Sequence, residues 1–159
     1  MKTLLWAIIC GVTFLAAPAI AQDSAADMSM QILRDKIKAD KKAVVAANMQ
    51  LTDVEAAAFW PIYDAYQNEL KAINERIGNA ILDYADAYKT RTLSDATAKK
   101  LLAEAIAIDA SEAKLRKDYA AKLTKALTAS LAARYLQIEN KIRAVVRYEL
   151  AAQIPLVGA

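Results

Sequence analysis

From residue 53 to about residue 88 the chain carries an apolar stripe in strict heptads. Tyr63, Leu70, Ile77 and Tyr84 recur every seven residues, and Phe59, Tyr66, Ile73, Ala80 and Ala87 fill the three-and-four spacing between them. At ~1.5 Å per residue such a helix is roughly 54 Å long. A rod of that length cannot bury its stripe by itself, so it needs a partner helix, another chain, or both.

The rest of the sequence supplies helical partners. Glycine and proline number only three each, and one proline, Pro18, lies near the N-terminus. Ala, Leu, Lys, Glu and Gln dominate the remainder, which predicts long helices joined by short polar connectors. Met30, Leu33, Ile37, Val44 and Val45 mark a short, basic first helix over 28–47. "TDVE" at 52–55 is a capping box: Thr52 can accept from the Glu55 N–H while Glu55 reaches back to the Thr52 N–H. The second helix is therefore expected over 53–88. Ser94 opens a third over 95–126, with Leu101, Ala105, Ile108, Leu115 and Tyr119 on one face and Glu112 interrupting it. Acid-first pairs, Glu112 to Arg116 and Asp118 to Lys122, give modest support to an exposed face. The second and third helices then form an antiparallel hairpin closed at 89–94.

The cassette "LTDVEAAAFWPIY" at 51–63 returns as "LTASLAARYLQIE" at 127–139. Shifted by about 76 positions, Leu51 matches Leu127, Thr52 matches Thr128, Ala56 and Ala57 match Ala132 and Ala133, and Phe59 matches Tyr135. This degenerate repeat suggests that Thr128 caps a fourth helix over 129–153, stopped by Ile154 and Pro155. Whether the chain breaks or continues near residue 127 is left open by the pattern. The expected domain plan is one all-α domain over 28–153, preceded by an arm at 22–27 and followed by a tail at 154–159.

Residues 1–21 read as a secretory signal: Lys2, an apolar run from Leu4 to Ala17, and small residues at Ala19 and Ala21, with cleavage after Ala21. The run is too short and wrongly flanked for a stable membrane span, and no later stretch approaches eighteen apolar residues. Cys10 falls inside the leader without the small preceding residue that a lipoprotein site prefers. The mature chain is then free of cysteine and held by core packing alone.

Composition also narrows the chemistry. No histidine occurs, and without His or a mature Cys the usual triads, thiol catalysis and nearly all transition-metal sites are excluded or handicapped. Met28 and Met30 supply two weak thioether ligands, which without His or Cys make a poor site. Carboxylate pairs such as Asp83 with Asp86 lack neighbours that would split their acidities. No catalytic, cofactor-binding or metal residue is expected. The formal net charge of +3 is mild and interleaved, which does not argue for nucleic acid.

Two groups invite a binding role. In "FWPIY", Pro61 removes the bond to the Ala57 carbonyl and crowds that turn. Phe59 and Trp60 then either pack where the helix bends around the core or form an aromatic ledge for clients. The basic residues Lys38, Lys41 and Lys42 of the first helix and Arg134, Lys141, Arg143 and Arg147 of the fourth are either a solvated face or a basic surface with aliphatic neighbours.

With "LTDVE" at 51–55, a long hairpin and a second "LT" at 127–128, the chain resembles the Spy/CpxP family of periplasmic proteins, whose repeated motif is LTxxQ. The resemblance covers roughly residues 30–150. Glu55 stands where the motif has Gln, and the second copy has Leu131 there. Only Leu51, Thr52, Leu127 and Thr128 carry over, with a capping and packing role. The family implies a four-helix, elongated helical-hairpin homodimer in the periplasm that binds unfolded or stressed envelope proteins without ATP. Some relatives instead act on a two-component sensor, so an adaptor for one periplasmic sensor domain is the alternative.

Overall fold

The structure is a computed structural model that describes residues 40–157. The leader, the arm at 22–27, Met28, Met30 and Lys38 lie outside the described residues. Four helices follow in order: α1 Lys41–Met49, α2 Asp53–Lys89, α3 Asp95–Ala126 and α4 Ala129–Gln153. Each begins where a short polar side chain satisfies an orphan N–H. Asp40 accepts from Ala43 N, Thr52 from Glu55 N, Ser94 from Thr97 N and Thr128 from Leu131 N. At Thr52 the box closes, because Glu55 Oε2 also accepts from the Thr52 N–H at 2.9 Å.

Two boundaries refine the expectations. A helix continuous from 28 to 47 does not occur, since Asp40 has φ −158° and ψ 85° and α1 starts only after it, running on to Met49. Near 127 the chain breaks: Leu127 is extended at φ −133° and ψ 170°, and Thr128 restarts the helix. Helix α2 continues through Pro61, which is exposed, and at 37 residues is about 55 Å long.

Helices α2 and α3 lie antiparallel, tied by Tyr119 to Glu69 and by Arg76 to Glu104. Helix α4 folds back along α3, with Arg143 on Glu112 and Arg147 on Asp109. It therefore runs parallel to α2, as Tyr135 beside Phe59 and Pro155 beside Tyr84 show. Helix α1 runs antiparallel to α4, with Arg134 Nη1 donating to the Met49 carbonyl at one end and Lys41 on Glu139 at the other.

Large side chains fill the space between α2 and α4. Phe59, Tyr63, Tyr66 and Tyr135 stack edge-on there, with ring centroids 5.0 Å apart for Phe59 and Tyr135 and 5.2 Å for Tyr66 and Tyr119. These aromatics join Val45, Met49, Ile108, Leu115, Leu123 and Ile142 in one core. The heptad stripe of α2 faces inward as its spacing requires: Phe59, Tyr63, Tyr66 and Ile73 are buried, and Leu70, Ile77 and Tyr84 half-buried. No helix among the described residues is long and apolar enough to cross a membrane.

Candidate functional surface

Of the expected aromatic ledge, Phe59 does not reach the surface. Phe59 is fully buried against Tyr63 and Tyr135, because its helix face points at the α4 repeat partner of its own cassette. Trp60 is half-buried, edge-on to Phe59 and beneath the Lys42 ammonium at 5.0 Å. Leu51 and Leu127, the apolar halves of the two repeats, are half-buried against the core.

The basic residues do not form one patch. Lys41 is drawn into a closed network with Gln67, Tyr135 and Glu139. Its Nζ donates to Glu139 Oε2 and to Gln67 Oε1, both at 2.9 Å, while Glu139 Oε1 accepts from Gln67 Nε2 at 2.8 Å and from the Tyr135 hydroxyl at 3.1 Å. Glu139 is 4% exposed. Burial and then the neighbouring Glu139 charge push the Tyr135 phenol far up. Lys42 pairs with Asp64 in solvent.

Arg143 and Arg147 converge on a second buried acid. Glu112 Oε2 accepts from Arg143 Nη1 and Arg147 Nη2, each at 2.7 Å, and Arg147 also reaches Asp109 Oδ1 at 2.6 Å. The expected exposed pair of Glu112 with Arg116 is thereby corrected: Glu112 turns inward to α4. Arg116 lines the same polar recess, and its Nε is buried without a hydrogen-bond partner among the described residues. Lys122 likewise leaves Asp118, lying over the Tyr119 ring at 3.8 Å, while Asp118 takes Lys114.

The sequence pattern missed both buried acids as core elements. On α4 the buried face is Ala132, Tyr135, Glu139 and Ile142, with Leu131, Ile138 and Val145 half-buried beside it. Tyr135 offers more area than those aliphatics, and Glu139 is neutralised where it sits. The one visible signal was Glu112, a charge at a stripe position.

Arg134 and Lys141 remain. Both are exposed, and neither is in an ion pair among the described residues. They stand on the outer side of α4, along a furrow of about 570 Å³ whose lining includes Val44 and Asn48 of α1 and Ile138 and Val145 of α4. The furrow is open, with aliphatic walls and two unpaired cations. Among the described residues no group of three or more acids could hold a metal ion.

No protein-family model, curated protein or solved structure matches the chain.

Proposed function

We propose that the protein is an ATP-independent holdase of the periplasm, exported by residues 1–21 and related in layout to the Spy/CpxP family. It binds acidic, partly unfolded segments of envelope proteins along the furrow between α1 and α4. The observation that supports this reading is the pair Arg134 and Lys141 beside Val44, Ile138 and Val145. Every other basic residue of the expected surface among the described residues is committed to a carboxylate. Unpaired cations at an open rim speed encounter with acidic chains, and dispersed aliphatic contacts slow escape without selecting one sequence. Exposed Leu102 and Ile106, one turn apart on α3, offer a strip through which two copies would form the dimer.

Light scattering of a thermally unfolding acidic client, with stoichiometric protein added, tests the reading. The native chain suppresses scattering at low salt and less so at high salt, as screening demands. Arg134→Glu combined with Lys141→Glu abolishes most of the suppression, while Lys42→Gln leaves it. If the native chain leaves scattering unchanged at both salt levels, the holdase reading fails. A pull-down returning one folded partner would then assign the adaptor role.

A further inference from the structure

The aromatics between α2 and α4 fill only the first half of that space. Beyond Gln67 and Glu139 it continues as a groove of about 300 Å³, walled by Leu70, Ile77 and Ile81 of α2 and Ile142, Val146 and Leu150 of α4. Gly78 adds no side chain, and a Cβ there would meet no atom within 4 Å. Val146 is 41% exposed. Two apolar walls thus face each other across open space that a third apolar surface would fill.

The chain itself arrives at the head of this groove. Lys41 lines the groove's end while bonded to Gln67 and Glu139. Because α1 runs antiparallel to α4, the chain direction at Lys41, traced back toward the N-terminus, points along α4 toward the groove. The extended backbone at Asp40 ends the helical register of α1, so the preceding residues can settle in the groove in a phase of their own. The lengths agree. From the level of Gln67 to that of Ile81 the groove runs about 21 Å, and residues 28–39 as a helix would span about 18 Å. Met30, Leu33 and Ile37 give that segment an apolar edge at three-and-four spacing, with Arg34, Lys36 and Lys38 on the remainder.

We propose that residues 28–39 dock in the groove between α2 and α4 and complete the core that the described helices leave open. Met30, Leu33 and Ile37 meet the walls formed by Ile77, Ile81, Val146 and Leu150. The segment thereby excludes outside apolar chains from this groove, which lies apart from the outer furrow of α1 and α4, so the inference stands independently of the holdase reading.

Paired cysteines test it. The full chain, expressed with residues 1–21 in place and carrying Cys10→Ser, has no other thiol. Ile37→Cys with Val146→Cys, and separately Leu33→Cys with Leu150→Cys, form disulfides within one chain on mild oxidation, read as monomer mass and faster migration without reductant. Ile37→Cys with Val54→Cys, at the exposed start of α2 and away from the groove, forms none. Bonds joining tagged to untagged copies would put a second copy in the groove and overturn the proposal, as would failure of both pairs to close. A second measurement needs no cysteine. Leu33→Asp with Ile37→Asp opens the groove and raises the fluorescence of an apolar dye severalfold while helix content by circular dichroism is kept. Unchanged dye fluorescence with retained helix would equally sink it.

Discussion

Glu139 lies on the buried face of α4, and it survives there because both of its oxygens have donors. Burying a carboxylate costs several kcal/mol unless it is paired and hydrogen-bonded. Lys41, Gln67 and Tyr135 supply that compensation from three different helices, so the network also fixes how α1 seats on α2 and α4. Glu139→Ala is expected to cost about 3 kcal/mol in urea unfolding, since it strands a half-buried ammonium and an amide. Lys41→Met in the same chain should recover part of that loss, because removing both charges costs less than removing one. Strictly additive single and double variants would show that the pair is not coupled. Neither partner could be assigned from the sequence, because Lys41 and Glu139 are 98 residues apart and nothing local ties them.

At the scale of elements, the two "LT" cassettes do the same job with unequal means. Thr52 and Glu55 satisfy two orphan donors reciprocally, whereas Thr128 caps alone because Leu131 stands where Glu55 stands in the first copy. Thr52→Ala is therefore expected to cost about 1–2 kcal/mol and Thr128→Ala about 1 kcal/mol or less, read from chemical denaturation of each variant. Equal losses would show that the reciprocal bond to Glu55 contributes nothing. The starts of α2, α3 and α4 fall at 53, 95 and 129 as the caps require, because capping is a contact over three residues. The start of α1 was missed for a related reason: Asp40 is an equally good cap, but Met30, Leu33 and Ile37 extend the apolar pattern across it. Charge pairs one turn apart proved weak guides, since Glu112 finds two guanidiniums on α4 that outcompete Arg116 on its own helix.

For the whole molecule, the tyrosine core sets the response to pH. Burial, ahead of the Glu139 charge, raises Tyr63 and Tyr66 to about 12, and burial followed by the hydrogen bond to Glu69 does the same for Tyr119. Below pH ~10 these phenols are neutral in both folded and unfolded chains, and their contribution is fully present. Between pH ~10 and ~12 the unfolded chain ionises while the folded one resists, so stability falls through that window and is lost as the folded values are passed. Thermal unfolding by circular dichroism at pH 8, 10 and 11.5, with tyrosinate absorbance followed in parallel, should show a falling midpoint and phenol ionisation that coincides with unfolding. With no histidine in the chain, no imidazole titration adds a transition near neutrality.

The sequence by itself determined that the chain is helical, where three of its four described helices begin, and which face of α2 turns inward. Periodicity and capping are properties of a few neighbouring residues, so they can be read without knowing the fold. Tertiary structure alone decided that Glu112 and Glu139 are buried, and that Arg143 and Arg147 are neutralised while Arg134 and Lys141 take no carboxylate among the described residues. Those outcomes depend on which distant helix supplies the opposing charge or ring. Burial and electrostatic pairing are set by contacts across helices, and no local pattern encodes them.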